Sequence, residues 1–395
     1  MSTAHDPTFL AVRFVVLVGI LSFFADCTYE GARSVTGPYL ATLQASAFAV
    51  GLITGLGELL GYGLRLFSGR WADSTRQFWP IAIFGYIVQM ASVPALALTG
   101  SVPTAAALII LERIGKAIRN PPRDVMLSHA GKRAGGYGWV FGLHEALDQA
   151  GAMCGPLLVA FILAHHGSYH EAFAVLMVPA IINVTLVLIA RWAYPHPEDL
   201  ETASTEITDQ NLPGVYWLYL AGAALVGAAF ADYPLIAYHF SQTGSVPKNW
   251  IPIFYAIAMA VSGTGSLTLG RLFDRWGFRV LIMLTILSAV FAPLVFYGGF
   301  VAALIGAGIW GLGMGVHESM IPAAVAPMVP ISRRASAFGL FTAGYGAAWF
   351  AGSVVIGALL DISLPATVAF CVVVDLAAVP IFAIVSRLRS QRAVA

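Results

Sequence analysis

The sequence predicts an all-α polytopic membrane protein of about twelve membrane-crossing helices, arranged as two similar halves of six. Three observations predict it: an apolar composition, a succession of hydrophobic segments of spanning length, and a short motif that recurs at the same place in each half. Of the 395 residues, 58% are hydrophobic and 10% charged, with a mean hydropathy of +0.80. Such a chain needs lipid as its solvent. Twelve helices of roughly 20 residues would take up about 240 residues, which leaves short connections and no room for an extramembrane catalytic domain. A net charge of +1 argues against nucleic acid as a partner. The cysteines Cys27, Cys154 and Cys371 sit inside apolar segments without metal-type spacing and read as buried small residues. Met1 to Thr8 lacks the basic region and cleavage site of a secretion signal, so the first hydrophobic run is expected to remain as a helix.

Spans are expected near 10–32, 44–66, 78–99, 103–120, 137–163 and 171–192, then 213–240, 249–270, 278–299, 301–323, 335–360 and 365–386. An even number of crossings puts both termini on one side, and the basic residues say which. Arg70, Arg76, Arg119, Arg123, Lys132, Arg133, Arg191, Arg271, Arg275, Arg279, Arg333, Arg334, Arg387, Arg389 and Arg392 fall in alternate loops or the C-terminal tail, against only Arg33 and Lys248 opposite. Both termini are therefore expected to be cytoplasmic, in a cell inner (plasma) membrane. Residues 193–211 carry Glu198, Asp199, Glu201, Glu206 and Asp209 without Lys or Arg. The organisation read from this is an N-terminal six-helix bundle over 1–192, a cytoplasmic linker over 193–212, and a C-terminal six-helix bundle over 213–395.

The repeat is the sharpest signal. Gly69-Arg70-Trp71-Ala72-Asp73 follows span 2, and Gly270-Arg271-Leu272-Phe273-Asp274-Arg275 follows span 8. Phe141-Gly142-Leu143 in span 5 matches Phe338-Gly339-Leu340 in span 11, and Gly155 matches Gly352. On these residues the chain resembles the major facilitator superfamily, and the resemblance covers essentially its whole length. Both Gly-Arg loops look like that family's motif A, with Ser74-Thr75-Arg76 departing from it in the first copy. The resemblance implies two six-helix bundles related by pseudo-two-fold symmetry. It also implies that Gly69, Arg70, Asp73, Arg76, Gly270, Arg271, Asp274 and Arg275 form a conformational latch. Gly151, Gly155 and Pro156 in span 5 resemble the start of motif C, a feature of the family's antiporters; close helix packing and a bend at Pro156 explain them equally well. The stretch from Arg113 to Asp124, together with His144, Glu145 and Asp148, resembles a bacterial subgroup of efflux-type facilitators.

Ionisable residues inside spans cost roughly 2.5–3.5 kcal/mol each at a helix centre unless they face protein or water, and so mark function. Asp26, Tyr29, Glu30 and Arg33 share one face of span 1 by their spacings of three and four. Glu58 and Arg65 lie in span 2, Glu112, Arg113 and Lys116 in span 4, and His144, Glu145 and Asp148 in span 5. Asp232 and His239 fall in span 7, His317 and Glu318 in span 10, and Asp375 in span 12. Asp26, Tyr29, Glu30, Glu58, Arg113, Glu145, Asp148, Asp232, His317 and Glu318 are the expected cavity and proton-coupling residues; the resemblance implies that helices 1, 4, 7 and 10 line the pathway. Counting about 1.5 Å per residue puts Arg113 roughly 15 Å deep and Asp148 at about the same level, and predicts that they pair, with Asp26 as rival partner and Glu145 as substitute.

The function read from this is secondary active transport of a small molecule, without cofactor, by a monomer that exchanges cargo for protons in export. Import by proton symport, or export of a metal ion or metal complex, are the alternatives. His144, His239 and His317 have no shared spacing of a dedicated metal site. Adjacent pairs such as His144 with Glu145 point about 100° apart, and no Gly-x-Ser-x-Gly motif is present, which argues against an enzyme.

Overall fold

The computed structural model of the chain describes residues 7–130, 134, 137–197, 212–317, 321, 324–325, 328–329 and 334–394. It is all-helical: α1 (Pro7–Thr42), α2 (Ala47–Thr75), α3 (Phe78–Ala95), α4 (Val102–Ala130), α5 (Tyr137–Ala164), α6 (Tyr169–Val175), α7 (Met177–Ala193), α8 (Gly214–Ala229), α9 (Tyr233–Thr243), α10 (Trp250–Trp276), α11 (Phe278–Ser288), α12 (Phe291–Tyr297), α13 (Phe300–Gly315), α14 (Arg334–Ile362) and α15 (Leu364–Val394). Every predicted span falls largely on helical residues where it is described; residues 318–320 and 322–323 of the tenth lie outside the described residues. Spans 6, 7 and 9 each consist of two helical pieces, α6 with α7, α8 with α9, and α11 with α12. Among the described residues ten segments are long and apolar enough to cross a bilayer; α4 is too charged to join them, and α13 is short.

The largest departure from the sequence reading is α4. The span was expected to end near residue 120, and the Pro121-Pro122 that follows removes two backbone donors, which normally stops a helix. The helix instead runs through both prolines to Ala130. Pro121 leaves the Ala117 carbonyl without its donor one turn back, and the Ser68 hydroxyl on α2 donates to that carbonyl at 2.8 Å. Within lipid a freed carbonyl has to be met by protein in this way. Arg119 and Arg123 are consequently helix residues buried in the protein, not loop cations, and they leave the count of charges that orients the chain.

The two Gly-Arg motifs are likewise not loops. Gly69 to Asp73 belong to the last turns of α2, and Gly270 to Arg275 to the last turns of α10. Both helices stop at a residue of positive φ whose amide closes back on the carbonyl four residues earlier: Arg76 (φ 53) on Ala72 at 2.8 Å, and Gly277 (φ 56) on Phe273 at 2.7 Å. The repeat therefore extends to a stop at positive φ, held by arginine in the first copy and glycine in the second. Span 7 breaks at Phe230 to Asp232, where Pro234 cannot donate to the Phe230 carbonyl and Asp232 caps α9 by accepting from the Tyr233 amide at 3.1 Å. The Ala231 carbonyl, outside both pieces, accepts from the Trp310 indole at 2.8 Å.

Contacts group the chain into two compact units, residues 1–35 with 60–205, and residues 36–59 with 206–395. The first holds most of α1, the second part of α2 and all of α3 to α7. The second holds α8 to α15 and the segment joining α1 to α2, whose start is fixed by Asp361 of α14: its two carboxylate oxygens accept from the Ala47 and Phe48 amides, each at 2.8 Å. Residues 198–211, most of the predicted linker, lie outside the described residues.

Replacing Ser68 with Ala should leave the Ala117 carbonyl unmet and destabilise the fold by about 1–2 kcal/mol, while Ser68→Thr keeps most of the stability. Thermal unfolding in detergent measures this; equal midpoints for Ser68→Ala and the wild type would show that α4 does not need the bond.

Candidate functional site

The polar centre of the first unit is set by two close helix contacts. A Cβ added at Gly85 of α3 would lie 2.7 Å from the Arg119 amide nitrogen, and one at Gly115 of α4 would lie 2.6 Å from the Gln89 nitrogen, so the two backbones touch. Only glycine admits this approach, and it sets Tyr86 and Gln89 opposite Glu112 and Arg119. On the other side, side chains at Gly151 and Gly155 of α5 would collide with the carbonyls of Phe23 and Cys27. That contact brings His144 and Asp148 beside the polar face of α1. Pro156 continues inside α5.

Arg119 is fully buried, and its guanidinium spans three helices. Nε donates to Gln89 Oε1 at 2.5 Å, Nη1 to the Tyr86 hydroxyl at 3.2 Å, and Nη2 to Asp26 Oδ1 at 3.4 Å. Gln89 passes the network on, donating to Glu112 Oε1 at 2.7 Å. One turn along α4, Arg123 donates to Asp124 at 2.8 Å and 2.9 Å and to Ser22 at 3.4 Å, and lies 3.9 Å from the Asp148 carboxylate. His144 bridges the same groups: Nδ1 is 3.4 Å from Asp148, and Nε2 is 2.8 Å from the Ser22 hydroxyl.

Asp148 therefore pairs with Arg123 and His144, and not with Arg113 as its depth suggested. The physical reason is the length of α4. Because the helix continues to Ala130 before α5 begins at Tyr137, residues near 119 and 123 stand level with 148 and 144, while Arg113 lies nearly five turns from the connection. Arg113 instead lies 3.6 Å from Glu112 and donates to the Tyr29 hydroxyl. Tyr29 also accepts from Arg33 at 3.1 Å, and Arg33 is 3.9 Å from Glu30. The Lys116 ammonium sits 3.9 Å from the centroid of the same Tyr29 ring, and the Arg113 guanidinium carbon 4.8 Å from it.

The remaining expected residues lie elsewhere. Glu145 is exposed and accepts from Gln149 at 3.0 Å, apart from the buried network. Glu58 is buried in the second unit. Asp232 is fully buried at the start of α9. His317 is packed among aromatic rings, 4.2 Å from Phe230 and 5.4 Å from Trp349 between centroids, and bonds the Tyr345 hydroxyl. His239 bonds the Phe296 carbonyl at 3.0 Å, and Asp375 is buried on α15. Glu318 and the side chains of Asp73, Asp274 and Gly270 lie outside the described residues, whereas Arg70, Arg76, Arg271 and Arg275 are exposed. Among the described residues no group of three or more His, Cys, Asp or Glu could hold a metal ion.

Arg119, Arg123, Gln89 and Ser22 were missed as site residues. One signal was in the sequence: Glu112, Lys116, Arg119 and Arg123 are spaced four, three and four, a single helical face. A second was the tripeptide Phe-Ala-Asp, at 24–26 and again at 230–232, which adds the first helix of each half to the repeat.

Residues 18–353 match the family model of the Major Facilitator Superfamily. An uncharacterized protein of Mycobacterium tuberculosis is 40% identical over 389 residues, covering 96% of this chain and 95% of that one. Among solved structures, a mutant of the nucleoside transporter NupG superposes with a TM-score of 0.78 at 15% identity, covering 93% of this chain and all of that one. A mutant of the peptide transporter POT gives 0.74 at 12% identity, covering 98% and 99%. At these identities the two structures share the fold.

Substituting Asp26 by Leu should cost about 3 kcal/mol of stability, the low end for orphaning a buried ion, because Gln89 and Tyr86 still hold Arg119. The double variant Asp26→Leu/Arg119→Met should regain most of that loss. Unfolding midpoints in detergent for the single and double variants test the pair; a single variant as stable as the wild type would show that the contact is incidental.

Proposed function

We propose a transport function from one premise: the chain belongs to the Major Facilitator Superfamily. It is a secondary active transporter that moves a small molecule by alternating access of two six-helix bundles, 1–192 and 213–395, joined by the segment 193–212. It sits in the cell membrane with both termini cytoplasmic, acts as a monomer, and exports cargo in exchange for protons.

The observation that carries the coupling is the buried network on α1, α4 and α5. Arg123 and His144 share the Asp148 carboxylate, while Arg119 holds Asp26. A buried ion pair becomes costly when one partner is neutralised, so proton uptake by a carboxylate changes which arrangement of the helices is stable. Asp148 has contacts at 3.9 Å and 3.4 Å and belongs to a chain of groups that leads through Asp124, whose side chain is 46% exposed. Glu30 and Asp26, one turn apart on α1, complete the titratable face. The helix-end motifs act on the same equilibrium from outside the network: Arg70, Asp73 and Arg76, with Arg271, Asp274 and Arg275, favour one of the two states by charge and helix-dipole contacts.

In proteoliposomes loaded with a compound that stabilises the purified protein, Asp148→Asn should keep exchange at equal pH within about twofold while losing accumulation driven by a pH difference. Variants that still concentrate the compound place the coupling elsewhere, and a gradient of the opposite sign driving accumulation identifies a symporter. No exchange of any stabilising compound would overturn the transport reading.

Asp73→Asn and Asp274→Asn should slow transport several-fold and leave compound affinity unchanged, with altered labelling of single cysteines placed at the two membrane faces. Unaltered labelling in both variants rules out a latch.

A further inference from the structure

Resting on the transport reading above, we infer that Asp361 is the clasp of an external gate: it holds the first turn of α2 to the end of α14, and its release opens the external side. What the carboxylate meets carries this. The first amides of a helix have no partner inside it, and a neighbouring side chain commonly caps one of them. α2 has that local cap, since the Ser46 hydroxyl accepts from the Ala49 amide at 3.2 Å. The Ala47 and Phe48 amides are met instead from a helix 314 and 313 positions away, by the two oxygens of Asp361 at 2.8 Å each. Ser46 thus starts the helix, and Asp361 ties it to α14. A carboxylate at the positive end of a helix dipole, making two charge-assisted bonds, is a strong tie for a small contact.

Around the tie the two helices meet backbone to backbone. A Cβ added at Gly51 of α2 would collide with the Ser353 carbonyl, one at Gly55 would lie 2.9 Å from the Ser353 Cβ, and one at Gly357 of α14 would lie 2.5 Å from the Ala47 carbonyl oxygen. The preceding segment is held in the same way: Gly37 of α1 abuts the Pro234 carbonyl of α9, and the Tyr238 hydroxyl donates to the Ala45 carbonyl at 3.1 Å. The contact is confined to the start of α2, because a Cβ at Gly61 or Gly63 would touch nothing among the described residues. Residues 36–59 accordingly group with 206–395, and α2 from residue 60 onward does not. Glycines at such a seam leave few side chains to interlock, so the polar tie distinguishes the joined state from a parted one. Asp361 is itself exposed, and water can take over its two bonds when the helices separate. The topology proposed above puts this end of both helices outside the cell.

The test follows a single cysteine, Thr54→Cys, one residue from Gly55 and buried in the wild type, with Cys27, Cys154 and Cys371 replaced by Ser. In intact cells a membrane-impermeant maleimide added outside should label it slowly. Asp361→Asn should raise that rate about threefold or more, and Asp361→Glu should keep it within about twofold of the parent. Ala47→Pro deletes one of the two donors at the first helical position, where proline is tolerated, and should also speed labelling with Asp361 untouched. Rates unchanged in both Asp361→Asn and Ala47→Pro overturn the clasp. So does a lowered unfolding midpoint without faster labelling, which reduces Asp361 to a structural tie. The two readings fail separately. Labelling that responds to Asp361 in a protein that exchanges no compound in proteoliposomes keeps the clasp and removes transport. Exchange in a protein whose labelling ignores Asp361 keeps transport and removes the clasp.

Discussion

A guanidinium with no solvent exposure, midway along a helix surrounded by apolar neighbours, is tolerable only where polar groups are waiting for it. Arg119 is such a group, and the first unit is organised to receive it. Tyr86 and Gln89 come from α3, Asp26 from α1, and the glycine contact between Gly85 and Gly115 brings α3 close enough for short bonds. Removing Asp26 leaves charge uncompensated in a medium that cannot solvate it, and removing Tyr86 or Gln89 leaves a guanidinium donor unmet. The interaction therefore fixes the relative register of three helices. Gln89 extends the constraint to Glu112, and Glu112 to Arg113, so the side chains gathered around Tyr29 inherit their geometry from the same ion.

Irregular backbone in this protein is handled by the same logic applied to carbonyls. Proline frees an acceptor at Ala117 in α4, and Ser68 answers it; the break between α8 and α9 leaves the Ala231 carbonyl outside both helices, and the Trp310 indole answers that. In each case a side chain from another helix replaces a backbone donor that water would supply in a soluble protein. The answer in α4 keeps the helix continuous, so that charged residues on both sides of the prolines share one face.

Much of the fold was legible because lipid imposes a length on apolar segments, and among the described residues the predicted segments fall largely on helices. The reading failed where a long-range contact overrides a local rule. Pro121-Pro122 is a stop signal unless something such as Ser68, 49 positions before the Ala117 carbonyl it meets, supplies the missing donor. From that one error followed the placement of Arg119 and Arg123 in a loop and the pairing of Asp148 with Arg113. The polar face of α1 was readable from spacing alone, and Asp26, Tyr29, Glu30 and Arg33 are buried together. Which cation meets which carboxylate was not readable, since it depends on the register between helices, and that register is set by glycine contacts between backbones.

The tripeptide Phe-Ala-Asp has taken two different courses in this chain. In the first copy Cys27-Thr28 follows and the helix goes on, so Asp26 projects from an unbroken surface and meets Arg119. In the second, Tyr233-Pro234 follows, the helix parts, and Asp232 is turned back to cap the new start. The same three residues thus serve a contact between helices in one setting and the start of a helix in the other, and the proline that follows decides which. Around the second copy the space is filled with the rings of Phe230, Trp310 and Trp349.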